Sequence, residues 1–285
     1  MISSEQVKAL IRNKSKISNI NPNIILRTVI FEFFLEKLSK SKYRDRFIIK
    51  GGFLVSAITK IDLRTTMDLD VTLKSLSIQK EDLKTYIEEI IVIPSHDNLI
   101  MELVSIDEIH EGADYPGLRV SLSIYFDGLI ENIKIDFTTG DIITPNETRF
   151  QYKSLLYDKT IELRAYNIET VLAEKIETIL SRGPLNTRMR DFYDVHILWE
   201  LRENDVDRVV LRTALINTST YRKTYNQIFP EYSDIMTSIE NDQSMMKLWS
   251  SYQNNYLFAK DVSWEDVINS LKSIIEIILS KGSSY

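Results

Sequence analysis

The sequence predicts an α+β fold, in which a mixed sheet with an N-terminal helical element is followed by a C-terminal helical bundle. Three observations carry that prediction. A short apolar run, Phe47-Ile48-Ile49, ends at Gly51-Gly52 and leads into a helical stretch, giving strand, turn and helix in succession. Segments with strand-like alternation then continue as far as Phe137. From Tyr166 onward, alternation gives way to long patterns with a helical period. The 285 residues, 44% hydrophobic and with only 8 Gly and 6 Pro, are enough for a well-buried core and too rich in periodic apolar positions for a fibrous or disordered chain.

In chain order, residues 24–40 read as an amphipathic helix, with Ile24, Thr28, Phe31, Leu35 and Leu38 at helical spacing and Pro22 just before the start. A basic turn over 40–46 precedes the 47–49 strand, and a helix begins behind the glycines at 53–58. Residues 63–73 form the next strand, 78–90 a helix, and 99–106, 118–126 and 129–137 three further strands, the last two joined by a turn at Asp127-Gly128. Helices are expected over 168–180, 188–201, 206–217, 236–257 and 264–279. The split is placed at 1–163 and 164–285, with the functional site where the two parts face each other.

The chain has no cysteine, which excludes disulfides and thiolate zinc sites and fits a reducing cytoplasm. Its first residues carry no basic stretch leading into an apolar run, and no run of about 18 apolar residues occurs, so neither export nor a membrane span is expected. A net charge of −6 argues against coating nucleic acid through bulk electrostatics but leaves room for a local basic groove.

The candidate chemistry centres on Gly51-Gly52 and on Arg64-Thr65-Thr66-Met67-Asp68-Leu69-Asp70-Val71. Paired glycines let main-chain N–H groups approach an anion, and strand alternation turns Asp68 and Asp70 to one face. Two carboxylates on a buried strand repel each other without a cation, and their oxygens suit Mg2+ that keeps phosphates in its shell. Ser56, one turn on, is a further hydroxyl candidate, or else a surface serine. Transfer of a phosphoryl group to a hydroxyl calls for a third acid. In Ile133-Lys134-Ile135-Asp136-Phe137 that is Asp136, with Asp141 as its competitor, although a plain amphipathic strand gives the same pattern.

In the helical half, Lys175 lies mid-helix, and Arg188, Asp191 and Asp194 share a stripe on the next helix. Lys175 can meet a triphosphate as a point charge, and Arg188 or Arg190 can hold a phosphate through paired hydrogen bonds. The plainer alternative is a helix-start arrangement with Arg190 and Asp194 as an i,i+4 pair. Arg182, Arg222 and Lys223 are candidates for guiding an RNA backbone. His96, His110 and His196 show no ligand spacing, and His196 reads as a core or interface histidine.

Together, Gly51-Gly52, Asp68-x-Asp70, Lys175 and Arg190-Asp191-x-x-Asp194 resemble the AbiEii/AbiGii family of nucleotidyltransferase-like toxins, a branch of the DNA polymerase β-type superfamily. The resemblance spans about residues 48–199. It implies a polymerase β-type sheet, with Asp68 and Asp70, joined on general superfamily logic by Asp136, as ligands of two Mg2+ ions. It also implies Gly51, Gly52, Lys175, Arg190 and Asp194 as nucleotide contacts and Asp191 as a catalytic acid. The family further implies a cytoplasmic bacterial toxin of phage defence that uses an NTP, with an RNA acceptor such as the tRNA 3′ end. Its antitoxin is AbiEi-like and need not bind the toxin tightly. Two rivals remain open, a small-molecule nucleotidyltransferase of the antibiotic-modifying kind and a non-catalytic NTP-binding regulator.

Overall fold

The computed structural model describes residues 4–18, 20–60, 68–95, 99–109, 117–126, 128–155 and 159–279. The chain gathers into two compact units, 1–141 with 147–165, and 142–146 with 166–285.

The first unit opens with α1 (Ser4–Ser18) and α2 (Pro22–Lys40), and Pro22 occupies the first turn of α2, where its missing N–H costs nothing. Then follow β1 (Phe47–Lys50), α3 (Gly51–Thr59), β2 (Leu69–Leu73), α4 (Lys80–Ile91), β3 (Leu99–Ile109), β4 (Gly117–Phe126), β5 (Leu129–Thr139), β6 (Thr148–Lys153) and β7 (Thr160–Ala165). These strands form one sheet in the order β3-β4-β5-β2-β1-β7-β6. Pairing is parallel for β1 with β7 and for β2 with β5, and antiparallel elsewhere, which makes the sheet mixed. Strand alternation buries Ile49, Val71, Phe137 and Leu118, which lie side by side across four strands, on one face. That apolar layer is continued by Phe33 of α2, whose ring lies 5.1 Å from that of Phe126, and by the buried Leu83, Ile87 and Ile90 of α4.

Several features of this unit differ from the sequence expectation. First, α2 is buried nearly all round rather than along one stripe, because its polar residues have partners inside. Glu32 accepts hydrogen bonds from Tyr152, Ser154 and the Leu155 amide at 2.6–2.8 Å, Glu36 pairs with Lys40 and Lys159, and Lys37 donates to the Ile93 carbonyl. Second, β6 and β7 were not foreseen, although Ile161, Leu163 and Ala165 alternate inward. Third, β2 starts at Leu69, so Asp68 sits in the bend before it, and residues 61–67 of the expected longer strand lie outside the described residues, as do His96 and His110.

The second unit contains α5 (Ile168–Arg182), α6 (Met189–Arg202), α7 (Arg208–Tyr221), α8 (Tyr225–Asn241), α9 (Gln243–Asn255) and α10 (Trp264–Leu279). The single helix expected over 236–257 is two, because Asp242 stops α8 and caps α9, accepting from the Ser244 and Met245 amides at 2.8 and 2.9 Å. Met236, Met245 and Trp249 are bundle core. Residues 142–146 join this unit through Thr144. Its amide donates to the Thr170 hydroxyl at 3.0 Å, and its carbonyl accepts from Asn167, the N-cap of α5, at 2.7 Å. No helix among the described residues is long and apolar enough to cross a membrane.

Candidate active site

In the first unit, β1 runs into α3 without a linker, and the turn is made by Gly51 at φ +65°. A side chain there is excluded twice. The left-handed backbone disfavours one, and a Cβ would lie 2.0 Å from Asp70 Oδ2. The Asp70 carboxylate is therefore packed directly against the start of α3, the positive end of that helix. Lys50, the N-cap residue, makes no side-chain cap, as an ammonium can only donate.

Cross-strand register then lines up the polar face. Lys50 is opposite Asp70, Asp70 opposite Asp136, and Asp136 opposite Arg119, so four neighbouring strands each place one charged residue in a single row. Directly paired residues project to the same side of a sheet. Arg119 donates to both oxygens of Asp136 at 2.7 Å, and its Nη2 lies 3.7 Å from Asp68 Oδ2. The hydrogen bonds that Arg119 donates to Asp136 raise its pKa, with the charges of Asp136, Asp68 and Asp70 acting in the same direction against burial. Asp68 and Asp136 thus share one cation, with Asp70 next in the row.

Behind that row, Lys50 Nζ reaches Asp141 Oδ2 at 2.5 Å and the Thr138 hydroxyl at 2.7 Å, and Asp141 also accepts from Thr72 and Thr138. Burial alone would raise the Asp141 pKa, but the charge and hydrogen bond of Lys50, with the two hydroxyls, outweigh it and hold the carboxyl at about 2. Asp141 is committed to Lys50, whereas Asp136 stands beside Asp70. Of the two competing acids, Asp136 lies in the row and Asp141 does not.

The donor set fits a hard cation such as Mg2+, since it offers carboxylate oxygens alone and Arg119 already places positive charge among them. Among the described residues, however, no three His, Cys, Asp or Glu side chains are gathered closely enough to hold an ion. Ser56, offered as a hydroxyl ligand or else a surface serine, keeps its hydroxyl off the surface. Its buried hydroxyl has no hydrogen-bond partner among the described residues, and the residue lines a cavity of about 380 Å³ with Phe31, Phe53 and Tyr152.

In the second unit, Lys175 of α5 meets both acids of α6, with Nζ 2.9 Å from Asp191 and 2.6 Å from Asp194. Asp194 is fully buried and Asp191 partly exposed. The expected stripe is broken at Arg188, which is the N-cap outside the helix (φ −87°, ψ 70°), and Arg190 is exposed. Arg222, a candidate for guiding an RNA backbone, is paired within the helical unit. It is locked between Glu174 at 3.1 Å and Glu177 at 2.6 Å. His196 is a buried histidine whose Nδ1 lies 2.8 Å from the Ser270 hydroxyl, and burial lowers its pKa.

Sequence reading missed Arg119 and the pairing of Lys50. A lone arginine between Leu118 and Val120 reads as an ordinary outward strand residue, and only its register opposite Asp136 gives it meaning.

No curated protein matches the chain significantly. Among solved structures, JHP933 from Helicobacter pylori superposes with a TM-score of 0.52 at 14% identity, covering 92% of this chain and 94% of that one. An H. pylori protein assigned as a nucleotidyltransferase has a TM-score of 0.49 at 15% identity, covering 92% and 97%. The first of these likenesses concerns the fold alone. The family model of the AbiEii toxin, a nucleotidyl transferase of type IV toxin–antitoxin systems, matches residues 34–270. That span takes in both units and every candidate residue above, and the chain belongs to the AbiEii nucleotidyl transferase toxin family.

Proposed function

We propose that this protein transfers a nucleotide from an NTP to a hydroxyl of an RNA acceptor, most simply a tRNA 3′ end, with Mg2+, as a toxin acting in the cytoplasm. The observation that carries the reading is the row Asp70–Asp136, with Asp68 on the same cation, set against the Gly51 start of α3. Asp68, Asp70 and Asp136 would hold Mg2+, as two ions, which when bound neutralises the triphosphate and eases ionisation of the acceptor hydroxyl.

Main-chain N–H groups at Gly51 and Gly52 receive phosphate oxygens at the helix start. Asp136 takes the proton of the acceptor hydroxyl as its oxygen bonds to the α-phosphorus and the bond to the pyrophosphate oxygen breaks. Lys175 and Arg190 act as nucleotide contacts, and Asp191 as a site acid, with Asp194 fixing Lys175. An AbiEi-like antitoxin is the partner in this reading.

The test is incubation of purified protein with each α-labelled NTP, Mg2+ and total cellular RNA. Labelled RNA is expected, and Asp70→Ala should lose the label while keeping the fold. Label appearing in an aminoglycoside instead of RNA would overturn the acceptor class. Toxicity surviving in Asp70→Ala would overturn catalysis in favour of a nucleotide-binding regulator.

A further inference from the structure

The row of charged residues extends one strand further. Arg119 of β4 lies opposite Asp136 of β5 on one side and opposite Asp107 of β3 on the other. Directly opposed residues hold their Cβ atoms about 4.5–5.5 Å apart, so both carboxylates lie within reach of one long side chain. In this structure the guanidinium is on the Asp136 side, bound to both oxygens at 2.7 Å and 3.7 Å from Asp68. Asp107 is exposed, and the Ser105 hydroxyl donates to it at 2.7 Å. Arg119 itself is 32% exposed, so its head group can move without unpacking the core.

We propose that Arg119 is a two-position cation that occupies the acids of the metal site at rest and moves to Asp107 when a divalent metal ion enters. The proposal rests on the reading of Asp68, Asp70 and Asp136 as metal ligands. Arg119 is on this view a positioning residue. It neutralises three acids that would otherwise repel one another, and it makes metal entry compete with an internal cation. Asp107 supplies the second resting place and keeps the displaced charge paired.

The experiment is titration of the full chain with Mn2+, without nucleotide, followed by electron paramagnetic resonance. Arg119→Met should bind Mn2+ on the order of tenfold more tightly than wild type, as expected on removing a charge-assisted paired contact. Arg119→Lys, a cation without the two-pronged contact, should fall between. Asp107→Asn should weaken Mn2+ binding several-fold, roughly the worth of a partly exposed ion pair. Circular dichroism checks that each variant is folded. Unchanged or weaker Mn2+ binding in folded Arg119→Met overturns the proposal, and so does an Asp107→Asn protein indistinguishable from wild type. Asp70→Asn separates the two levels. If it abolishes Mn2+ binding while Arg119→Met leaves it unchanged, the metal site stands and the two-position arginine falls. If no variant binds Mn2+, both fall.

Discussion

At Asp141 three donors converge on one carboxylate, from Lys50, Thr72 and Thr138. Its pKa lies at about 2 against an ordinary 3.8, so the folded state binds this proton more weakly than the unfolded chain does. The stabilisation is therefore fully present above 3.8 and is lost as pH falls through about 2. It amounts to roughly 2 kcal/mol. Asp141→Asn should show a shallower loss of stability between about pH 4 and 2 than wild type, by that amount, in urea titrations at stepped pH. This residue also shows what a linear reading can and cannot resolve. Asp136 and Asp141 are five positions apart and chemically alike, and the sequence offers both as the third acid. Their partners separate them: Arg119 reaches Asp136 across the β4–β5 hairpin, whereas Lys50 of β1 and Thr72 of β2 reach Asp141 through a parallel pairing of β2 with β5 that no local pattern encodes.

At the scale of elements, α5 and α6 are joined by Lys175 between Asp191 and Asp194. Removing the cation breaks its pair with the fully enclosed Asp194, and breaking a buried pair costs about 3–5 kcal/mol. Lys175→Met should unfold at correspondingly lower urea, measured by helical circular dichroism. Loss of transfer in that variant would thus need to be read beside its stability. Helix positions were largely legible because apolar spacing is a local property, and α10 (Trp264–Leu279) begins and ends where the pattern does. The break between α8 and α9 was not, since Asp242 looks like any surface acid until the amides it caps are known. β7 escaped notice for a related reason. Its six residues carry three inward apolar positions, and its role comes from a parallel partner more than a hundred residues away, with Ile48 opposite Arg164.

At the scale of the whole molecule, the change of texture at Tyr166 announces the helical unit, but a single cut between 163 and 164 does not describe its membership. Residues 142–146 leave the sheet after β5, are held by Asn167, Thr170 and Asn217, and return to build β6. The helical piece 166–285 made alone lacks those contacts. It should melt at a lower temperature than 142–285, followed by circular dichroism.

The polypeptide therefore crosses between its units three times, at 141/142, 146/147 and 165/166. A gene severed at one codon cannot yield two self-sufficient products, and two-piece complementation of the toxin would require the short excursion to travel with the helices. Deletion mapping that trims from either end will in the same way register losses belonging to the neighbouring unit, and it will assign them to the wrong half.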